Sequence, residues 1–195
     1  MTSDQSLLDR LFGEARSQNG WRDDVVSDAQ LREAYALAQW GPTSMNTQPM
    51  RLLFLRGDDA KEKLKPALAP LNVAKVMSAP VVAIIAYDTQ FYKHLPATFP
   101  HNPAAEGMFA GNPALSEATA FRNSSLQAAY FMLALRAVGL DVGPMSGFDA
   151  GQVDAAFFAD ETWRTNFICA IGHGDPAKVF PRLPRLTFDA VSRQM

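Results

Sequence analysis

The chain contains one unbroken apolar run, Val81-Val82-Ala83-Ile84-Ile85-Ala86-Tyr87, introduced by Pro80. A run without polar alternation is typical of a strand that is buried on both faces of a sheet. Residues 51–56 and 166–171 are also strand-like, and the stretches between show helical spacing or turn residues. Because strands and helices alternate without separating into halves, we expect residues 1–195 to form a single α+β domain around the 81–87 strand.

Composition limits the classes of partner. The 195 residues are 48% hydrophobic and 10% aromatic, which suits a sizeable core, and 19% charged, which leaves part of the surface to be covered by a second subunit or a ligand. The net charge is −2 and no block of Lys or Arg occurs, so nucleic acid is not an expected partner. No apolar run approaches the ~20 residues of a membrane span, so we expect no membrane partner.

The termini and the cysteine content indicate a cytoplasmic protein. The first fifteen residues alternate polar and apolar side chains and include three acidic ones, unlike a signal peptide. Cys169 is the single cysteine and lies in the apolar 167–171 run, where a buried strand residue is expected rather than a nucleophile.

The most informative polar segment is Gly41-Pro42-Thr43-Ser44-Met45-Asn46-Thr47-Gln48-Pro49. Its prolines stiffen a loop between a helical pattern and the 51–56 strand. Its hydroxyl and amide groups carry no formal charge and suit a flat heterocycle with donors and acceptors on its edge. An ordinary polar connection has the same composition, so the interpretation depends on the other segments.

Two further regions predict a binding cleft and an oligomer. Residues 88–115 hold four prolines, two glycines and scattered aromatics, which indicates an irregular lid or binding loop. Residues 116–138 predict the longest helix. One of its faces is rich in small residues and is a plausible contact with a second subunit: Ala118, Phe121, Ser125, Ala128, Ala129 and Met132.

Several motif matches are misleading. Gly172-His173-Gly174-Asp175-Pro176-Ala177 matches a dinucleotide-binding pattern, but the following prolines preclude the long helix that must hold a pyrophosphate. Residues 143–147 have the wrong glycine spacing for a nucleophile elbow. The three histidines are dispersed, so no metal site is predicted.

Three other polar segments are candidates for the same ligand. Arg16-Ser17-Gln18-Asn19 falls at a helix end and offers guanidinium, hydroxyl and amide donors to a phosphate. Asn72 and Lys75 lie three residues apart on one helical face just before the central strand. The stretch 181–185 places two cations, Arg182 and Arg185, on a stiff backbone. Each segment taken alone is also compatible with an ordinary solvated surface.

Over nearly its whole length the chain resembles the nitroreductase family of FMN-dependent oxidoreductases. The matching segments are Arg16-Ser17, Pro42-Thr43-Ser44-Met45-Asn46-Thr47-Gln48-Pro49, Asn72-x-x-Lys75 and Pro144-Met145-Ser146-Gly147-Phe148-Asp149. Residues 16–21, 174–176 and 181–186 are similar to the short subgroup that includes the malonic semialdehyde reductase of pyrimidine catabolism.

The resemblance implies a central, mostly antiparallel sheet flanked by helices, in an intertwined homodimer with FMN at the subunit interface. It assigns the FMN phosphate to Arg16 and Ser17, helped by Arg182 or Arg185, and the polar edge of the isoalloxazine to Asn46 and Asn72. It puts Lys75 near N1 and the C2 carbonyl, and the backbone around Ser146-Gly147 near N5. The further FMN-binding residues that it implies are Gln18, Asn19, Thr43, Ser44, Gln48 and Pro144.

Two positions depart from the family pattern. Many members carry Glu where this chain has Ser146, so the contact to N5 is expected from a backbone N–H. A second basic residue of the N-terminal motif is replaced by Asn19.

The expected activity is hydride transfer from NADH or NADPH through flavin N5 to a small oxidised substrate. The subgroup resemblance favours an aldehyde such as malonic semialdehyde, reduced to 3-hydroxypropionate. A nitroaromatic, quinone or enone is the alternative substrate class, and a flavin-binding protein without turnover is the alternative of another kind.

Overall fold

The structure is a computed structural model that describes residues 3–195. These residues form an antiparallel four-stranded sheet in the order β1-β2-β4-β3, with β1 (Met50–Leu55), β2 (Val81–Asp88), β3 (Asp141–Met145) and β4 (Trp163–Gly172). β1 and β3 are therefore the two edges. The predicted antiparallel α+β architecture is confirmed.

Helices connect and cover the strands. They are α1 (Ser3–Leu8), α2 (Asp28–Ala38), α3 (Asp58–Leu64), α4 (Pro70–Met77), α5 (Leu95–Thr98), α6 (Ala105–Ala110), α7 (Pro113–Ala137), α8 (Ala150–Phe157) and α9 (Phe188–Val191). A π-helical turn, Asp9–Gly13, continues α1, and 3-10 turns occupy Ser44–Asn46, Lys65–Ala67, Phe91–His94 and Pro176–Lys178. Among residues 3–195, none of the helices combines the length and the apolar character of a membrane span.

The central strand separates two apolar clusters. All eight residues of β2 are buried. Val81, Ala83 and Ile85 pack with α2 and α7 on one face, whereas Val82 and Ile84 pack against α3, α4 and α8 on the other. The unbroken apolar run is therefore explained, because successive strand side chains point to opposite faces and both faces are covered.

Three sequence-based assignments need correction. The strand β3 was not anticipated, because Gly143 and Pro144 resemble turn residues. The first helix was expected to end near Arg16, but regular α-helix stops at Leu8 and the π-helical turn stops at residue 13. The longest helix begins at Pro113 rather than 116, because proline suits a first helical position.

The segment 88–115 is not the irregular loop that was predicted. It contains α5, α6 and a 3-10 turn, and it encloses a small apolar cluster of its own that includes Phe91, Leu95 and Phe109. Met45 of the 41–49 loop packs against this cluster. The loop and the lid segment therefore form one packed unit at the β1 edge.

Candidate functional site

The N-terminal segment after the π-helical turn runs along the edge strand β3. Ser17 forms a parallel bridge with Val142, and the Gln18 N–H donates to the Val142 carbonyl at 3.0 Å. A β-carbon at Gly143 would lie 2.6 Å from the Gln18 carbonyl oxygen and 3.3 Å from Lys75 Cδ. Glycine at this position therefore lets the 16–19 segment and Lys75 approach the same point of β3.

Gln18 is buried, at 7% exposure, and its side-chain oxygen Oε1 has no hydrogen-bond partner in residues 3–195. Buried carbonyl oxygens without a partner are rare because desolvation costs about 1–3 kcal/mol. The atom is thus a buried acceptor that no donor of the described residues satisfies.

Lys75 lies in the last turn of α4 and is 9% exposed. Its ammonium has no hydrogen-bond or ion-pair partner within the described residues. Burial lowers the pKa of Lys75, because the charged form loses hydration. A buried cation without a carboxylate is unusual in a structural core and marks a functional-site candidate.

Asn72 lies one turn before Lys75 on α4, as predicted. Its Nδ2 donates to the Gly147 carbonyl at 2.9 Å, and the Ala69 N–H donates to the same oxygen at 2.9 Å. A β-carbon at Gly147 would lie 2.7 Å from Asn72 Nδ2, so glycine permits this contact. Ser146 and Gly147 are exposed, and their N–H groups donate to no acceptor in residues 3–195. Pro144 precedes them in β3, opposite Cys169.

A cavity of about 540 Å³ lies between the N-terminal segment and residues 180–185. It is lined by four arginines, Arg16, Arg136, Arg182 and Arg185, with Ser17, Asn19 and several apolar side chains. None of its lining residues carries a carboxylate. Four guanidinium groups around one cavity match a phosphate, for which arginine offers several donors in a fixed geometry.

The arginines also hold the two walls of this cavity together. Arg16 donates to the Phe180 carbonyl. Arg182 Nη2 donates to the carbonyls of Gly13 at 2.7 Å and Ala15 at 3.1 Å, whereas Arg185 contacts carbonyls of its own segment. The predicted residues Arg16, Ser17, Asn19, Arg182 and Arg185 therefore line one cavity, whereas the Gln18 side chain lies outside it, next to Gly174.

The loop residues Thr43, Ser44, Asn46 and Gln48 form a second group. The Ser44 N–H donates to Asn123 Oδ1 at 2.8 Å, and Asn46 Nδ2 donates to the Thr98 carbonyl at 2.7 Å. This group precedes β1 at one edge of the sheet, whereas Lys75 and Gly147 lie beside β3 at the other edge. The two edge strands are three strand spacings, or about 14 Å, apart. Within one chain, no hydrogen bond of the described residues joins the two groups.

The loop also has an unusual backbone. Met45, Asn46 and Gln48 have positive φ values of 51°, 50° and 43°, a region that non-glycine residues rarely occupy. Such conformations cost about 1–3 kcal/mol each and tend to occur at ligand sites. The Gln48 N–H donates to Thr43 Oγ1 at 3.3 Å, which helps to hold the turn.

Asp88 anchors the lid segment where it leaves β2. The buried carboxylate accepts hydrogen bonds from Arg51 at 2.8 Å, Thr162 at 2.7 Å and the Gln90 N–H at 2.8 Å. Charge-assisted bonds of this kind are stronger than neutral ones. The base of the lid is therefore fixed to β1 and to the residue before β4.

The rejected motifs have structural explanations. Residues 172–177 lead into the short turn Pro176–Lys178 and not into a nucleotide-binding helix. Cys169 is fully buried in β4, and burial raises the pKa of its thiol to about 12. Within residues 3–195, no three His, Cys, Asp or Glu side chains are grouped as metal ligands.

Comparison with known proteins identifies the family. Residues 14–173 match the model of the nitroreductase family. The chain belongs to the nitroreductase family. It is 60% identical to the Ralstonia pickettii protein provisionally named NADH dehydrogenase/NAD(P)H nitroreductase HadB, over 97% of each chain.

Two solved structures share the nitroreductase fold. The Bacillus subtilis protein YdfN, provisionally named a nitroreductase, has a TM-score of 0.83 at 25% identity, covering 98% of this chain and all of the other. A provisionally named nitroreductase from Exiguobacterium sibiricum, solved in complex with FMN, has a TM-score of 0.83 at 21% identity, covering all of this chain and 98% of the other.

Two side chains that lie beside the predicted site residues were not identified from the sequence. Arg136, in the last turn of α7, lines the four-arginine cavity, and its Nη1 donates to the Leu11 carbonyl at 3.2 Å. Trp21 contacts the backbone of Lys75. A basic residue at a helix end and a lone aromatic are common features, so no local signal distinguishes either one.

Proposed function

We propose that this chain binds FMN and is a reductase that takes hydride from NADH or NADPH. The observation that carries the proposal is Lys75, which is 9% exposed and has no ion-pair partner in residues 3–195. Its stem lies near Gly143, as does the backbone of Gln18, and the neighbours of Gln18, Ser17 and Asn19, line the cavity with four arginines. When bound, FMN supplies the hydride chemistry, accepting hydride at N5 from the nicotinamide and donating it to a substrate.

The described residues fit the parts of FMN. The phosphate would be held by Arg16, with Arg182, Arg185 and the Ser17 hydroxyl. The Gln18 oxygen and the Asn72 amide offer an acceptor and a donor to the polar edge of the ring. Lys75 would stabilise negative charge near N1 and the C2 carbonyl, and its fixed position avoids reorganisation when that charge develops. The free N–H groups of Ser146 and Gly147 are assigned to N5.

The second group requires another copy of the chain. Thr43, Ser44, Asn46 and Gln48 lie at the opposite sheet edge and would reach the flavin only from a partner in a homodimer. Large exposed side chains of α7 support this, because Phe121, Leu126 and Tyr130 remain 44–49% exposed. Of the small-residue face predicted on this helix, Ala118 and Ala129 are exposed, whereas Ala128 is buried in the core.

For the substrate we propose a small aldehyde such as malonic semialdehyde, which would make the protein a 3-hydroxypropionate dehydrogenase. The support is the subgroup resemblance and the packed lid, which limits the space beside the 41–49 loop. A nitroaromatic, quinone or enone is the second candidate, favoured by the nitroreductase name of the 60%-identical relative.

The test is reoxidation of the reduced enzyme by competing acceptors. Protein loaded with FMN is reduced without oxygen by one equivalent of NADH or NADPH, then mixed with malonic semialdehyde, a nitrofuran, a benzoquinone or an enone. Reoxidation by the aldehyde at a rate that matches steady-state turnover supports the aldehyde reductase. Fast reoxidation by the other acceptors only would reassign the substrate class. If neither NADH nor NADPH reduces the flavin, a storage or sensing protein is favoured.

A further inference from the structure

Trp21 lies between the N-terminal segment and the end of β4. It forms an antiparallel bridge with Gly174, and the flanking backbone is bonded on both sides: the Arg22 N–H donates to the His173 carbonyl at 2.9 Å, and the Asp175 N–H to the Gly20 carbonyl at 3.1 Å. The backbone of residue 21 is therefore fixed to the chain that follows β4.

From this position the indole reaches the end of α4. Trp21 Nε1 donates to the Lys75 carbonyl at 3.0 Å. The last four carbonyls of a helix have no partner inside it and must find one elsewhere. Here Ser78 and Ala79 supply N–H groups to the carbonyls of residues 74 and 76, and Lys61 Nζ donates to that of residue 77 at 2.8 Å. The Lys75 carbonyl is left, and the indole N–H is its donor.

A glycine makes this arrangement possible. A β-carbon at Gly172 would lie 2.7 Å from Trp21 Cε3 and 2.9 Å from Pro80 Cδ. Real β-carbons do not approach other atoms so closely, so a side chain at 172 would displace the indole ring. The first glycine of the misleading dinucleotide motif thus provides the surface on which Trp21 packs.

We propose that Trp21 is a positioning residue that fixes the last turn of α4 and thereby aims the Lys75 ammonium. This inference rests on the proposed role of Lys75 toward FMN. Lys75 has no carboxylate partner in residues 3–195, so its head group is oriented by its backbone and by the position of its stem near Gly143. The indole bond is the contact that holds this backbone from outside the helix. Phenylalanine at 21 would keep most of the packing but lose the donor.

The first test does not require FMN. In the apoprotein, the acetylation rate of Lys75 at pH 8 is measured by mass spectrometry for wild type, Trp21→Phe and the matched control Trp40→Phe, whose side chain is 81% exposed. We expect Lys75 to react about tenfold faster in Trp21→Phe, with the rates of exposed lysines nearly unchanged, and no change in Trp40→Phe. The melting temperature of Trp21→Phe should fall by only a few degrees, because one hydrogen bond to a carbonyl is lost. An unchanged Lys75 rate in Trp21→Phe would overturn the proposal.

The second test uses the FMN-loaded protein. Loss of Lys75 alignment should lower the midpoint potential of the bound flavin in Trp21→Phe, and this shift should vanish when Lys75→Met is already present. An equal shift in both backgrounds would mean that Trp21 acts independently of Lys75, because independent effects add. If the wild type binds no FMN, the proposed function fails, while the acetylation rates still decide the role of Trp21.

A second variant tests the same proposal if Trp21→Phe does not fold. Gly172→Ala keeps the indole but displaces the ring, so it should also raise the Lys75 acetylation rate. Gly107→Ala is its control, because a β-carbon there meets nothing within 4 Å. If Gly172→Ala folds and Lys75 is acetylated at the wild-type rate, the packing of Trp21 on Gly172 does not position Lys75.

Discussion

Lys75 is the residue on which the functional account depends. A cation at 9% exposure with no acid beside it, in residues 3–195, destabilises the empty protein. Such a group is explained if a ligand supplies the missing negative charge. The same reasoning applies to the Gln18 oxygen, which lacks a donor until a ligand binds.

We predict that Lys75→Ala retains FMN but is reduced by NADH or NADPH about 10- to 100-fold more slowly, because a preorganised charge is lost. Stopped-flow absorbance at the flavin band measures the rate. Lys65→Ala, which removes only an exposed lysine paired with Glu62, is the control. Unchanged reduction kinetics in Lys75→Ala would exclude the assigned role.

The lowered pKa of Lys75 also predicts a pH effect on the stability of the apoprotein. The folded-state pKa lies below the unfolded value of 10.5, so between the two values the unfolded chain binds more protons and unfolding becomes harder as pH rises. Lys75→Met should therefore be more stable than wild type at pH 7, and the difference should shrink by pH 10. Urea unfolding of both proteins at the two pH values measures this. A difference that grows with pH contradicts the prediction.

Arg16 provides a test of the phosphate end. Arg16→Ala should weaken FMN binding about 10- to 100-fold, because a charge-assisted hydrogen bond contributes about 1.5–3 kcal/mol. Riboflavin, which lacks the phosphate, should bind both proteins equally in the same titration. Arg193→Ala, in the exposed tail, is the control. Equal FMN affinity in Arg16→Ala and wild type would move the phosphate site elsewhere.

At the scale of elements, the sequence predicts those helices and strands that are specified by residues close together in the chain. The strand β2 and the N-terminus of α2 were predictable, because an apolar run and the pair Ser27 and Gln30 are local signals. The strand β3 was not, since Gly143 is required by Gln18 and Lys75, which are far away in sequence. The lid helix α5 was missed and the start of α7 was misplaced because Pro96 and Pro113 resemble loop residues, although proline is favoured in a first turn.

The N-terminus of α2 gives a prediction for this scale. Ser27 accepts from the Gln30 N–H at 3.2 Å, and Gln30 Oε1 accepts from the Ser27 N–H at 2.9 Å. Ser27→Ala should lower the free energy of unfolding by about 1 kcal/mol, because the Gln30 N–H loses the hydroxyl oxygen that accepts its hydrogen bond. Urea unfolding measures this free energy, and Ser6→Ala, at an exposed position, is the control. Equal losses in both variants would show that the cap contributes nothing specific.

At the scale of the whole molecule, the site residues that the sequence predicted are divided between opposite sheet edges. Four local motifs identified the residue types, but no local signal reports whether they converge within one chain. Arg136 and Trp21 were missed for the same reason, because their importance comes from neighbours more than fifty positions away. The proposed homodimer would bring both groups together at one flavin.

The exposed apolar side chains of α7 make the proposed dimer testable. The protein should have a solution mass of twice the 21.3 kDa of the chain. Phe121→Glu should be a monomer, because an apolar interface does not accommodate an unpaired carboxylate. Light scattering after gel filtration measures the mass. The same variant should lose FMN, since the 43–48 loop of the partner is removed. Val25→Glu, at an exposed site elsewhere, should remain dimeric. A Phe121→Glu monomer that keeps full FMN affinity contradicts the shared site.

The central claim is that this chain carries a flavin that a nicotinamide can reduce. The most direct measurement is the visible spectrum of the purified protein with added FMN, followed by NADH or NADPH in the absence of oxygen. We predict that the absorbance band of bound flavin bleaches within seconds and returns when an oxidised acceptor is added. A protein that binds no FMN, or a bound flavin that neither nicotinamide bleaches, would contradict it.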